Sequence, residues 1–297
     1  MSILLTGASG YIGSAVLRRL VAEGHDVVGL VRSAEKARAV EAAGGHGLVG
    51  DATDRDLVAS AAAASDGVIH TALPGDETAA AVDEGVADAV LAALAGTGKP
   101  YVHTDGIWTY GENSEVTEQS EPAPAAISAW RGPIREKVRS AEGVRTSVIV
   151  PAIVYGRGGG LPNLVSGAPR GGESGQALVM LGNGAQHWAT VHVDDLAALY
   201  VLALEQAEAG SLYIGANGVN PAVHELFEAA SRAAGVTDAP VAETADATRA
   251  RLGAALADAL LLDQGATGFG AKIDFGWEPN GPSLADELAT GSYAPQH

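Results

Sequence analysis

The chain has 297 residues, 47% of them hydrophobic, and a formal net charge of −18. This size and composition suit one large α/β domain, or one domain with a smaller lobe. The acidic balance argues against nonspecific nucleic-acid binding and against binding to anionic membranes. Because the chain has no cysteine, disulfides, thiol nucleophiles and thiolate metal sites are excluded. With no long apolar run and no secretion signal at the start, the expected location is cytoplasmic.

Short apolar runs alternate with helical patterns through the first half of the chain. The predicted strands are Ser2–Leu5, Val27–Val31, Gly47–Val49, Val68–His70, Tyr101–His103 and Ser147–Val150. The predicted helices are Ile12–Ala22, Ala34–Ala43, Arg55–Ala64, Thr78–Ala95 and a stretch ending near Glu142. Solidly apolar strands separated by helices indicate an α/β fold with a doubly wound parallel sheet. Ligands of such sheets bind at the carboxyl ends of the strands.

The second half reads differently. Residues 156–187 are rich in Gly, Pro and Ser and are predicted to form a long irregular connection, a type of loop that is often functional. A helix is predicted over Asp194–Gln206, with Asp194 or Asp195 as its N-cap. The remaining predicted elements are a strand at Leu212–Ile214, a helix at Ala222–Ala234 and a helical stretch at Ala242–Leu262.

Three glycines stand between the first predicted strand and the first predicted helix at G-x-x-G-x-x-G spacing. Gly7 permits a sharp turn, Gly10 lets the backbone approach phosphates, and Gly13 lets the helix pack closely on the sheet. The helix N-terminus adds N–H groups and the positive end of the helix dipole. The motif therefore predicts a dinucleotide pyrophosphate site rather than a purely structural turn.

The residues after the next three strands refine this prediction. Arg32 stands where an NAD-selective fold usually places an acid, and a guanidinium can pair with a 2′-phosphate; Ser33 could add a hydroxyl donor. The pair favours NADP over NAD, the alternative for Arg32 being an exposed loop residue. Asp51 could accept from the adenine amino group or cap the following helix. The small residues Thr71 and Ala72 would let the backbone approach a ribose.

The ordered motifs resemble the extended short-chain dehydrogenase/reductase superfamily, which includes the NAD-dependent epimerase/dehydratase-like proteins. The matching stretches are Thr6–Gly13, Gly50–Asp51, Val68–Ala72, Tyr110–Gly111, Glu118, Pro151–Gly156, Val191–Ala197 and Phe275–Pro279. The resemblance implies an NADP-binding Rossmann domain over 1–155, to which residues about 190–216 return. It also implies a smaller, mostly substrate-binding lobe over 156–297 and, since members are often dimers, a homodimer.

Cofactor contacts follow from the same resemblance. It places Gly7, Ser9, Gly10, Tyr11, Ile12 and Gly13 along the pyrophosphate. It places Asp51 and Ala52 by the adenine, Thr71 and Ala72 by the ribose, and Pro151, Ile153 and Val154 along the nicotinamide.

The catalytic segment departs from the superfamily's pattern. A Tyr-x-x-x-Lys pair should fall near residues 126–140, and no register there provides it. If Trp130 takes the tyrosine position, Ile134 takes the lysine position; if Arg131 does, Arg135 follows. A tryptophan cannot exchange a proton near neutral pH. Thr104, with Asp105 beside it, is the candidate for the hydroxyl that follows strand five in this superfamily.

Other residues could supply the proton. His187, at the end of the long connection, is a candidate acid, although a hydrogen-bonded or exposed loop histidine has the same pattern. Asp105 could act if burial raised its pKa, or it could be a turn residue. The predicted substrate contacts are Trp108, Trp130, Tyr155, Arg157, His187 and Trp188. No His, Asp or Glu spacing suggests a metal site.

These features favour an NADPH-dependent oxidoreductase that reduces a small carbonyl, enone or imine. Hydride transfer depends mainly on placement, and a missing tyrosine removes general-acid help typically worth about 10²–10⁴-fold. Two alternatives stay open: a non-catalytic NADP-binding sensor or scaffold, and an epimerase, dehydratase or isomerase that retains its cofactor. The substrate is a small molecule that the sequence does not identify.

Overall fold

A computed structural model describes residues 1–295 and is built around a seven-stranded parallel sheet. The strands of the described chain are β1 (Ser2–Thr6), β2 (Asp26–Val31), β3 (His46–Val49), β4 (Gly67–His70), β5 (Pro100–Thr104), β6 (Asn113–Val116), β7 (Arg145–Pro151), β8 (Ile153–Tyr155), β9 (Arg170–Gly171), β10 (Ala177–Leu178), β11 (Thr190–His192), β12 (Ser211–Gly215) and β13 (Gln264–Ala266). The large sheet has the order β12-β7-β5-β4-β1-β2-β3. Three two-stranded pairs, β10-β9, β11-β8 and β13-β6, lie outside it.

Helices cover both faces of this sheet. They are α1 (Tyr11–Ala22), α2 (Ala34–Ala42), α3 (Arg55–Ala64), α4 (Ala79–Leu94), α5 (Arg131–Arg139), α6 (Asn163–Ser166), α7 (Val193–Gln206), α8 (Val223–Ala233), α9 (Ala245–Leu252), α10 (Ala254–Leu260), α11 (Phe269–Phe275) and α12 (Leu284–Ala289). Helix α1 packs against α7, whereas α4 packs against α3 and α5. The doubly wound α/β fold is therefore confirmed.

The apolar strand sequences form the core because both of their faces are covered. Ile3, Leu4 and Leu5 of β1 have no exposed surface. Burying a side chain of this size contributes about 1.5–3 kcal/mol, so the central strand is a major source of stability. Within residues 1–295, no helix is long and apolar enough to cross a membrane.

A second hydrophobic cluster lies apart from the sheet core. It combines residues around β8 and β10 with α8 and α12, and Trp188 and Phe227 are among its largest members. Residues 190–216, which contain β11, α7 and β12, instead contribute to the core of the large sheet. The division into two domains at these boundaries stays a prediction.

One expectation about the second half is wrong. His192 caps α7, because its Nδ1 accepts a hydrogen bond from the Asp194 N–H at 3.2 Å, and neither aspartate does so. The stretch Ala242–Leu262 is helical as predicted, and it is divided into α9 and α10 at Gly253, which has a positive φ of 82°. The connection 156–187 contains α6 and the β9-β10 hairpin.

Strands β1 and β4 lie side by side, and their last residues, Thr6 and His70, are partners in the ladder. The chain leaves β1 toward β2 on one side and reaches β4 on the other. Such a reversal of strand order opens a crevice at the carboxyl ends of the strands.

Candidate active site and cofactor cleft

Two adjoining cavities occupy this crevice. The first, of about 410 Å³, contains Gly7, Gly10 and Arg32 and is called here the glycine-turn cavity. The second, of about 500 Å³, contains Trp108 and Trp130 and is called the tryptophan cavity. Both are lined by Tyr11, Ile12, Thr71, Ala72, Leu73, Pro74 and Asp76. The shared wall makes the two cavities one continuous cleft.

The glycine turn depends on the absence of side chains. Gly7 has a left-handed φ of 74°, and a Cβ there would lie 2.7 Å from the backbone nitrogen of Ala72. The Gly10 N–H donates to the Gly7 carbonyl at 2.8 Å and closes the turn. A Cβ at Gly13 would lie 2.7 Å from the Gly7 carbonyl carbon, so α1 can approach β1 only because Gly13 has none.

Tyr11 connects the turn to the second half of the chain. Its hydroxyl donates to the carbonyl of Gly156 at 2.8 Å, and its ring packs against Gly160, where a Cβ would lie 2.9 Å from the ring. Burial raises the pKa of Tyr11 well above its ordinary value. Tyr11 therefore stays protonated and acts as a tether at the junction of the two cavities.

Arg32 lies exposed at the end of β2 and lines the glycine-turn cavity together with Lys36. Lys36 was not predicted from the sequence, although it lies in the first turn of α2, shortly after Arg32. Ser33 does not line the cavity. Its hydroxyl oxygen caps α2 by accepting from the Lys36 N–H at 3.3 Å. The cations at this end of the cleft are thus an arginine and a lysine.

Asp51 and Ala52, which follow the neighbouring strand β3, also line the glycine-turn cavity. The Asp51 carboxylate accepts from the Thr53 N–H at 2.9 Å and from the Thr53 hydroxyl at 2.8 Å. These hydrogen bonds lower the pKa of Asp51, so it is an anion at neutral pH. Thr71 is fixed in the shared wall by its hydroxyl, which donates to the Thr6 carbonyl at 2.8 Å.

Thr104 and Asp105 line the tryptophan cavity, but both are already engaged. The Thr104 hydroxyl donates to the His70 carbonyl at 2.6 Å and lies 2.7 Å from the hydroxyl of Tyr200. Asp105, only 4% exposed, accepts from Arg135 at 3.0 Å. Burial raises the pKa of Asp105, and Arg131 and Arg135 oppose that rise. Neither side chain offers a free proton to the cavity.

The residues of the two registers that the sequence left open occupy similar positions on α5. Arg131 begins α5 and lines the tryptophan cavity, while Arg135, one turn later, is buried against Asp105 and Thr109. Trp130 also lines the cavity, and its indole N–H donates to the Ile127 carbonyl at 3.0 Å. The alternative partner of Trp130, Ile134, is buried.

A buried polar network that the sequence analysis did not predict supports the cavity floor. His70 Nε2 lies 2.9 Å from one oxygen of Asp83, and His103 Nε2 lies 3.4 Å from the other. The hydroxyls of Thr6 and Tyr101 lie at the opposite nitrogens of the two rings. If both hydroxyls donate, both Nε2–H groups face the carboxylate. His70 then donates a hydrogen bond to one carboxylate oxygen, and His103 lies at ion-pair distance from the other.

Charge in this network follows from burial and hydrogen bonding. Burial alone would raise the pKa of Asp83, but the hydrogen bonds from His103 and His70 outweigh it and lower the pKa well below its ordinary value. Burial lowers the pKa of His70 and keeps that ring neutral. No signal in the sequence links these residues, since Asp83 is on α4 and the histidines are on β4 and β5.

Four predicted substrate contacts line neither cavity. The half-exposed His187 pairs with Asp263 at 2.9 Å. Trp188 is buried in the second hydrophobic cluster. Tyr155 donates to the Pro282 carbonyl at 2.8 Å, and Arg157 pairs with Asp194 at 2.9 Å. Each side chain is held by a local partner away from the cleft. Trp108, Trp130, Pro151, Ile153 and Val154 do line the tryptophan cavity.

Comparisons with known proteins agree with this geometry. A family model described as NAD(P)H-binding matches residues 7–149, and one described as the NAD dependent epimerase/dehydratase family matches residues 133–215. An uncharacterised protein of Schizosaccharomyces pombe is 33% identical over 99% of this chain and 100% of its own length. The 3-diazoavenalumate denitrifying reductase of a Streptomyces species is 30% identical over 97% of this chain and 99% of its own.

Among solved structures, dTDP-glucose 4,6-dehydratase from Bacillus anthracis, in complex with NAD, matches with a TM-score of 0.78 and 15% identity. The match covers 99% of this chain and 95% of that one. At this identity the match concerns the fold alone. The fold and the motifs of the cleft therefore point to the same group of proteins.

Proposed function

Because this chain belongs to the extended short-chain dehydrogenase/reductase superfamily, we propose that it is an NADPH-dependent reductase of a small carbonyl, enone or imine. Membership in this superfamily makes a nicotinamide cofactor and oxidoreductase- or epimerase-type chemistry the general frame. The observation that carries the proposal is the continuous cleft, in which a glycine turn and two cations lie at one end and an apolar cavity lies at the other.

The cleft fits a dinucleotide. Gly10 leaves open space where a phosphate would approach, since a Cβ there would meet only the Gly7 carbonyl, at 3.1 Å. Arg32 and Lys36 supply two positive charges for a 2′-phosphate, which a diphosphate cofactor without that group would not use. NADPH is therefore proposed over NADH.

Bound NADPH would supply the hydride. The protein's contribution is to hold the acceptor in the tryptophan cavity, whose lining includes Trp108, Trp130 and Ile153. The hydroxyl of Thr104 and the carboxylate of Asp105 are engaged elsewhere, so the acceptor's oxygen or nitrogen takes its proton from water. An acceptor that needs little acid help suits such a site, and the relative from Streptomyces is named as a reductase of a diazo compound.

Calorimetric titration with NADPH and NADH is the first test. We expect NADPH to bind at least tenfold more tightly, a difference of about 1.4 kcal/mol. The variant Arg32→Ala/Lys36→Ala should lose this preference while its affinity for NADH stays unchanged. Equal affinities of the unaltered protein for the two cofactors would refute the NADPH assignment.

Turnover is tested by following NADPH absorbance with a panel of aldehydes, ketones, enones and imines. Oxidation of NADPH with members of the panel is the expected result. Tight binding with no oxidation across the panel would refute the reductase proposal and favour a nucleotide-binding sensor. Stabilisation of the protein by a sugar nucleotide, seen as a raised Tm, would instead favour an epimerase or dehydratase.

A further inference from the structure

We infer that Arg131 binds a carboxylate group of the substrate, whose apolar body lies between Trp108 and Trp130. This inference rests on the proposed function for the reaction itself, but it concerns ligand binding and can be tested without turnover. It names a substrate class, an apolar carboxylic acid that also carries the reducible group.

The guanidinium of Arg131 is held in one orientation. One of its terminal nitrogens donates to the Thr104 carbonyl at 3.1 Å, and its central carbon lies 4.4 Å from the ring centroid of Trp130. A guanidinium has five N–H donors in a rigid plane, so this contact leaves donors that can face the cavity. An arginine stacked and anchored in this way is preorganised to bind a carboxylate through two parallel hydrogen bonds.

Asp105 is near enough to Arg131 for their charges to interact. Arg131 nonetheless forms no ion pair with any of residues 1–295, whereas Arg135 is paired with Asp105. Asp105 is thus already neutralised by a second arginine. The first turn of α5 contains no acidic residue that could compete for Arg131. An arginine that faces a cavity and forms no direct ion pair there has donors available for an anion from outside the protein.

The residues around Arg131 indicate the chemistry of the rest of the ligand. Among residues 1–295, it is the only arginine or lysine that lines the tryptophan cavity. Ile107, Ile127 and Leu161 join the two tryptophans in an apolar wall. A half-buried charge among apolar side chains is costly unless it is paired, so an anion gains most when an apolar group accompanies it. One positive charge matches a carboxylate better than a doubly charged phosphate.

The test compares a carboxylate with its uncharged analogue. The probes are 2-naphthoate and 2-naphthamide, titrated in the presence of NADP⁺ and followed by calorimetry and by tryptophan fluorescence. The unaltered protein should bind the acid at least tenfold more tightly than the amide. In Arg131→Gln this difference should vanish through weaker binding of the acid, while affinity for the amide stays the same. Arg131→Lys should retain only part of it, because lysine keeps the charge but not the planar pair of donors.

Arg232→Gln is the matched control, because Arg232 is an exposed arginine on α8 outside both cavities and its loss changes the net charge equally. This variant should discriminate between acid and amide as the unaltered protein does. Unchanged NADP⁺ affinity and an unchanged Tm of Arg131→Gln show that the variant is folded.

Three outcomes would overturn the inference: equal binding of acid and amide to the unaltered protein, undiminished binding of the acid to Arg131→Gln, or tighter binding of phenyl phosphate than of benzoate. The two proposals fail separately. Arg131-dependent discrimination without any NADPH oxidation leaves the carboxylate site standing and removes the reductase. Reduction of neutral carbonyls without such discrimination would support the reductase and refute the carboxylate site.

Discussion

Gly10 and Gly13 provide a matched pair that separates phosphate approach from packing within the glycine turn. At Gly13, an added Cβ would lie 2.7 Å from the carbonyl carbon of Gly7 and 2.8 Å from the Thr71 hydroxyl oxygen. The Gly7 carbonyl oxygen would be closer still. Because the optimal separation of such atoms is about 3.5–4.0 Å, the backbone would have to move by about 1 Å. Overpacking of this kind costs about 1–3 kcal/mol, and Gly13→Ala should lose about 2–3 kcal/mol of unfolding free energy.

At Gly10, the added Cβ meets one atom, the Gly7 carbonyl oxygen, at 3.1 Å, and the backbone φ of −80° is accessible to alanine. Gly10→Ala should therefore keep its unfolding free energy to within about 1 kcal/mol. Its methyl group would stand where a phosphate approaches. We expect the Kd for NADPH to rise at least tenfold, which corresponds to about 1.4 kcal/mol.

Urea-induced unfolding followed by circular dichroism gives the unfolding free energy of both variants, and calorimetric titration gives their Kd for NADPH. We expect the two variants to differ in stability: Gly10→Ala is folded but binds NADPH poorly, while Gly13→Ala is destabilised as well. A Gly10→Ala protein with unaltered NADPH affinity would show that no phosphate approaches this residue. A Gly13→Ala protein as stable as the unaltered one would show that the packing argument is wrong.

Three further predictions concern the buried polar groups below the tryptophan cavity. Asp83→Asn should lose about 3 kcal/mol of unfolding free energy, measured in urea, because one amide cannot accept from two imidazole N–H groups as a carboxylate does. A loss below about 1 kcal/mol would contradict the network. Burial lowers the pKa of His70 below its ordinary 6.5. Below that pH the unfolded chain therefore binds a proton that the folded chain does not. The unfolding free energy should fall as the pH drops from about 7.5 to about 5.5. Asp83, whose pKa is lowered from 3.8, should add a further loss nearer pH 4; a flat profile would refute both. Arg135→Met should cost about 3–5 kcal/mol by leaving Asp105 buried and unpaired, and adding Asp105→Asn should recover part of it; additive losses would mean that the two side chains are not coupled.

Much of the fold could be predicted from local sequence. The six strands predicted in the first half all occur in the large sheet, with ends that differ by at most two residues. Solid apolar runs are a strong local signal because both faces of these strands must be buried. The short strands β9 and β10 escaped prediction, since two residues carry too little pattern to distinguish them from a loop.

The glycine turn was predictable for the same reason. Its geometry is completed within thirteen residues, and the Gly7 φ of 74° needs no distant part of the chain to explain why glycine stands there. Lys36 was within reach of the same reasoning, because it lies one helical turn after Arg32.

Other parts of the site depend on residues far apart in the chain. His187 has the residue type and loop position of a catalytic acid, yet its partner is Asp263, 76 residues away. Arg131 and Trp130 both line the cavity, and only the packing of α5 shows that Arg135, one turn later, is buried outside it and paired with Asp105. Asp83 reaches His70 and His103 only after α4 packs onto the sheet.

The sequence alone thus determined the parallel sheet, the glycine turn and the superfamily, because burial periodicity and backbone freedom are properties of neighbouring residues. Only the tertiary structure decided which polar side chains face the cleft and which are paired with other residues of the chain. That outcome depends on how elements distant in the chain pack together. A carboxylate or guanidinium is available for a ligand only when no other part of the chain supplies its counter-charge.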